Sequence, residues 1–119
     1  MKKRILLVDN QPIIRMMVKD ILTDDGHEVI GEAKDGLQGF DLYCDLKPDL
    51  VIVDIKMPRL NGVEMIKLVN QYDASAKIII CSDMPEEEMI QETLKCGIRD
   101  YIRKPFTQDK LVNSVNKII

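Results

Sequence analysis

The stretch KKRILLVDNQP, residues 2–12, climbs from three cations through four apolar residues, Ile5 to Val8, into an acid, an amide and a proline. An unbroken apolar run of this length reads as a strand buried on both faces, the kind found in a parallel sheet covered by helices. Asp9 and Asn10 then stand where the strand emerges, at its carboxyl end. Further out, LVIV (50–53) repeats the pattern and ends at Asp54, and KIIIC (77–81) ends at Ser82 and Asp83. EVIGEA (28–33) alternates like an edge strand, and DYIRKPF (100–106) is a short fifth strand leading to Lys104.

Amphipathic segments separate the strands. PIIRMMVKDILTDDG (12–26) sets Ile14, Met17, Val18, Ile21 and Leu22 at helical spacing, with Pro12 suited to a first turn and Gly26 just past the end. DGLQGFDLYCDLK (35–47) carries Leu37, Phe40 and Leu42 to Leu46 on a helical period stopped by Pro48. NGVEMIKLVNQY (61–72) does the same with Val63, Met65, Ile66, Leu68 and Val69. PEEEMIQETLKCG (85–97) opens with Glu86–Glu88 and closes with Lys95 and Gly97, charges that suit both ends of a helix dipole. TQDKLVNSVNKII (107–119) is a last helix with Thr107 as its N-cap. Five such units in alternation predict an α/β fold, a doubly wound parallel sheet with helices on both faces. Strands 1, 3 and 4, the most apolar, should be central, and strands 2 and 5 the edges.

Composition narrows the function. A chain of 119 residues with an apolar fraction of 45% supports one domain over 1–119 and no second core. A net charge of −3, from 17 basic and 20 acidic residues interspersed, offers no extended cationic surface for a nucleic-acid backbone. No apolar stretch approaches a signal-peptide core or a membrane span, so a cytoplasmic protein is expected. Cys44, Cys81 and Cys96 form no C-x-x-C pair and read as reduced, structural thiols. His27, in the turn signal DDGHEV, reads as a solvated residue, and the methionines Met16, Met17, Met57, Met65, Met84 and Met89 as packing.

The polar residues at the carboxyl ends of the strands are Asp9, Asn10, Asp54, Ser82 and Lys104, and in an open α/β sheet those ends share one face. Clustered carboxylates need a counter-ion. Mg²⁺ takes oxygen ligands of this kind, Lys104 supplies a fixed positive charge and Ser82 a hydroxyl. The set suits phosphoryl transfer to a carboxylate nucleophile, whereas the chain holds no histidine or activated serine placed for acyl transfer.

At these residues ILLVDN (5–10), PDLVIVDIKMPRLNG (48–62), IIICSD (78–83) and GIRDYIRKPF (97–106) together resemble the receiver domain of the bacterial two-component response regulators, in particular its single-domain, CheY-type members. The resemblance spans Ile5 to Phe106. It implies the flavodoxin-like, CheY-like sheet order 2-1-3-4-5 with five helices, an order taken over from the family. It further implies that Asp54 accepts a phosphoryl group from a histidine kinase or phosphotransfer protein. Asp9, Asn10, Asp54 and the Lys56 backbone carbonyl would hold Mg²⁺, Ser82 and Lys104 would bind the phosphoryl oxygens, and Tyr101 would be an aromatic switch paired with Ser82. Pro105 would fix the turn after Lys104, and Gly62 belongs to the loop after Asp54. The expected output is protein contact, chemotaxis among the options, through the face made by the fourth helix, fifth strand and fifth helix. The phosphodonor protein would dock on the first helix near Ile13 and Met16. The protein should be a monomer and catalyse only its own phosphorylation and dephosphorylation.

Two positions depart from the family pattern. The second acid after strand 1 is Asn10, which should weaken Mg²⁺ binding, and the small residue after Ser82 is Asp83. Asp83 either restores the missing charge or narrows the entrance, while Lys56 is placed to shield the phosphoryl group. An atypical pseudo-receiver or a relay intermediate is the alternative these departures raise. Lys56 argues against a phosphatase of the haloacid dehalogenase type, which needs an acid at that position.

Overall fold

The computed structural model describes residues 2–84, 93 and 96–118. Five strands, β1 (Arg4–Val8), β2 (Glu28–Ala33), β3 (Leu50–Val53), β4 (Ile78–Ser82) and β5 (Ile98–Arg103), form one parallel sheet in the order β2-β1-β3-β4-β5. Helices α1 (Pro12–Asp24), α2 (Gly36–Leu46), α3 (Gly62–Tyr72) and the C-terminal α4 (Gln108–Asn116) cover it. The helix expected over 85–95 lies outside the described residues. The fifth strand begins at Ile98, two residues before the expected start, because Ile78 of β4 already pairs with Ile98.

The apolar runs are central for the expected reason: every residue of β3 and β4, and all of β1 after Arg4, is buried. Alternation within each strand divides them between two cores. Leu6, Val8, Val51, Val53, Ile78 and Ile80 meet Tyr43, Met65, Ile66 and Val69 on one face of the sheet. Ile5, Leu7, Leu50, Ile52, Ile79 and Ile102 meet Val18, Leu22, Leu111 and Val115 on the other. Each fully buried side chain of this size contributes about 1.5–3 kcal/mol.

Three expectations are corrected. Met17 is exposed, because α1 meets the sheet through Val18 and Leu22, and Met16 is exposed too, on the outer face beside Ile13 and not in the core packing also expected of it. At helical pitch Met17 lies about 120° around the helix from Val18 and Leu22. Leu37 is exposed likewise, because α2 seats Gly36, Gly39 and Tyr43 inward. His27 is buried: its Nδ1 accepts the Lys3 N–H at 3.0 Å and its Nε2 meets Asn116 Oδ1 at 3.0 Å. The histidine thus ties the start of β1 to the end of α4. The local caps follow the sequence, with Pro12 at the start of α1, Gly26 at φ 90° beyond its end and Thr107 capping α4.

Candidate functional site

Register brings the strand ends together. Val8 pairs with Val53, so Asp9 and Asp54 leave adjacent central strands side by side. Ser82 pairs with Arg103, and the Lys104 N–H donates to the Ser82 carbonyl at 2.8 Å, which carries the next side chain over the same edge. Lys104 Nζ donates to Asp9 Oδ2 at 2.8 Å, to Gln11 Oε1 at 3.2 Å and to Asp54 Oδ2 at 3.3 Å. Both carboxylates are only 6% exposed. Asp9 Oδ1 accepts the Gln11 N–H and Asp54 Oδ1 the Ile55 N–H. Backbone fixes each carboxylate while the ammonium bridges them.

Burial pushes the Asp54 carboxyl above its ordinary value; the Lys104 charge pulls it down and the Asp9 charge pushes it further up, with a net rise. For Lys104, burial favours the neutral amine but is outweighed by the Asp9 hydrogen bond and the charges of Asp54 and Asp9, so its value rises and it remains an ammonium. Cys81 lies beneath the site, and burial pushes its thiol up to about 12, which leaves it protonated and structural. Close packing below Asp54 also requires Gly62: a Cβ there would stand 2.1 Å from the Asp54 carbonyl oxygen.

Ser82 and Tyr101 converge on one residue. The Ser82 Oγ, wholly buried, accepts the Met84 N–H at 3.3 Å, and the Tyr101 hydroxyl donates to the Met84 carbonyl. Tyr101 is turned inward and buried. Asn10 is exposed and lines a cavity of about 630 Å³ together with Lys56, Met57, Asn61, Lys67 and Met84. Asp83 is largely exposed, with its Oδ1 3.6 Å from Lys56 Nζ. The Lys104–Pro105 peptide is cis.

Comparison with known proteins decides the family. The model of the response regulator receiver domain matches residues 5–116. The chain belongs to that family. The receiver is 46% identical to the chemotaxis protein CheY of Thermotoga maritima over 99% of this chain and 98% of that one. It is 42% identical to CheY of Bacillus subtilis over 100% and 99%. Among solved structures, the CheX–CheY–BeF3–Mg²⁺ complex from Borrelia burgdorferi resembles it with a TM-score of 0.92 at 26% identity, covering 97% of this chain and 87% of that one. The receiver is therefore a response regulator of two-component signalling, a class that works through phosphorylation and has histidine kinases or phosphotransfer proteins and downstream targets as partners.

Receiver domains generally bind Mg²⁺ at the phosphorylation site, and the residues here fit a hard cation with oxygen ligands. Two buried carboxylates converge, with the Asn10 amide at the edge of the neighbouring cavity. Among the described residues no three acidic, histidine or cysteine side chains gather as a metal-holding group. The geometry lends no support to a pseudo-receiver, since both carboxylates and the lysine are in place.

Two site residues escaped the sequence reading. Gln11 supplies the third acceptor to Lys104. The Arg15 guanidinium donates to the Asp9 carbonyl and meets Glu32 at 3.3 Å, pinning the end of β1 from α1. Gln11 left a legible trace: glutamine is a poor residue for the N-cap position it occupies.

Proposed function

We propose that this receiver takes a phosphoryl group on Asp54 from a histidine kinase or phosphotransfer protein and passes the signal on by protein contact. The observation that supports the reading best is Lys104 Nζ bridging Asp9 and Asp54 at 2.8 and 3.3 Å. A carboxylate oxygen of Asp54 attacks phosphorus. The bond from phosphorus to the donor nitrogen or oxygen breaks, and its electron pair leaves with the donor, which takes a proton from solvent. Lys104 follows the charge onto the phosphoryl oxygens, and the Ser82 hydroxyl turns from Met84 towards them. That release frees the Met84 loop held by Tyr101, and the changed packing reaches the β5 and α4 face. Asp9, Asp54, the Lys56 carbonyl and the Asn10 amide oxygen would hold Mg²⁺, which supplies charge neutralisation between nucleophile and phosphoryl group. A cytoplasmic, monomeric chemotaxis regulator that is no enzyme beyond its own phosphorylation cycle, and that binds no nucleic acid, is the context favoured by the CheY likeness.

Incubation with phosphoramidate and Mg²⁺ should place one acid-labile phosphate on the wild type and none on Asp54→Asn. Equal labelling of both would refute the assignment. Metal binding provides a separate check. Losing one carboxylate opposite a divalent ion costs about 2 kcal/mol in water at 4 Å, partly offset by relieved repulsion between the acids. Asn10→Asp should therefore tighten Mg²⁺ binding about tenfold in a calorimetric titration; unchanged affinity would mean that position 10 does not face the metal.

A further inference from the structure

Gln11 sits where the ion pair and the first helix meet. Its backbone N–H donates to Asp9 Oδ1 at 2.9 Å while its side-chain oxygen accepts from Lys104 Nζ at 3.2 Å, so a single residue touches both members of the 2.8 Å pair. It is also the N-cap of α1, where a short polar side chain ordinarily accepts a backbone N–H of the first turn. Gln11 makes no such side-chain bond. The helix start is left to the Gln11 carbonyl, which accepts the N–H groups of Ile14 and Arg15, and the amide is committed to the lysine. With Asp9 and Asp54 it completes three acceptors for the three protons of the ammonium.

We propose that Gln11 is a positioning residue for phosphoryl transfer, holding the Lys104 ammonium beside Asp9 and Asp54 before the phosphodonor arrives. A neutral acceptor suits that task. It orients the ammonium yet yields it to a doubly charged phosphoryl group, which an acid at position 11 would resist. The inference deepens the reading of Asp54 as phosphoacceptor and rests on it.

Gln11→Ser separates this role from a structural one, because serine caps a helix well but cannot reach Lys104. Unfolding in urea should show the variant to be at least as stable as the wild type. Its phosphorylation rate at saturating phosphoramidate should fall roughly threefold to tenfold, the loss of one hydrogen bond to a charged group in a part-exposed site. In a Lys104→Met background the same substitution should change the rate no further. Proton exchange at Lys104 Nζ, followed by NMR in the unphosphorylated protein, should quicken in Gln11→Ser. An unchanged rate and unchanged exchange would overturn the proposal, as would a rate that falls only together with stability. If wild type takes up no phosphate from any donor, the reading of Asp54 fails, and the ammonium exchange still decides whether Gln11 holds Lys104.

Discussion

A single carboxylate at the mouth of the site separates two ways of making up for Asn10. Asp83 would compensate only by turning inward, and its side chain is 63% exposed and paired with Lys56, itself 65% exposed. An ion pair so wet adds little to stability, but its acid follows Ser82 at the rim that carries Lys104 and adds a negative charge there. Asp83→Ala should therefore leave Mg²⁺ affinity unchanged in a calorimetric titration and speed phosphorylation by an anionic donor. A tenfold weaker metal would show that Asp83 turns inward when the ion binds. At this scale the sequence was informative where an acid or a lysine ended an apolar run, as at Asp9, Asp54 and Lys104. It was silent at Arg15 and His27, and at Gln11 it offered no more than an unfavourable N-cap residue. Their roles depend on partners distant in the chain, such as Lys104, Glu32 and Asn116, and neither a weak cap residue nor a turn histidine tells which partner it meets.

Elements declared themselves at their ends better than along their faces. Capping is local chemistry, so Pro12, Gly26, Pro48 and Thr107 marked the boundaries correctly. Which stripe of a helix turns inward depends on how it is rotated against the sheet, and small residues mislead there: Gly36 and Gly39 let α2 approach closely, leaving Leu37 outside. The start of α3 carries a functional load as well as a structural one. Asn61 Oδ1 accepts the Glu64 N–H at 2.9 Å, and Glu64 Oε1 accepts the Asn61 N–H at 3.3 Å. This capping box ends the loop that leaves Asp54 and returns through the Gly62 N–H to the Ile55 carbonyl. Asn61→Ala should lower stability by about 1 kcal/mol in urea unfolding. Hydrogen exchange at the Gly62 amide should rise with it, and a stability loss without that local change would place the effect elsewhere in the helix.

For the whole molecule, alternating strands and helices specify a parallel sheet and its apolar runs identify the central strands, but the order 2-1-3-4-5 came only with the family resemblance. Once that order closes the site, charge and burial oppose each other across the fold, and acid should expose the conflict. The Ser75 hydroxyl, followed by that of Tyr43, holds the Asp73 carboxyl below its ordinary value. At Asp100 burial acts upward but is outweighed by Ser114, Lys117 and the Tyr101 N–H, and the value falls. These two bind protons more weakly folded than unfolded. Their stabilisation is present above the unfolded carboxylate value of about 3.9 and is lost as pH falls through their folded values. Asp54 has the opposite sign: its raised value means that stability is lost as pH rises from about 3.9 through the folded value. Lys104 is an ammonium throughout this range, and its contribution fades only when pH rises above the ordinary lysine value. Asp54→Asn keeps the side-chain shape and leaves Lys104 its bonds to Asp9 and Gln11. The variant should therefore be more stable than wild type at pH 7, with the difference shrinking as pH approaches 4. Urea unfolding of both proteins between pH 7 and pH 3 measures that difference directly and cancels every group the two share. A variant less stable at pH 7 would mean that the attraction of Lys104 outweighs the cost of burying the Asp54 charge, reversing the sign assigned to that carboxylate.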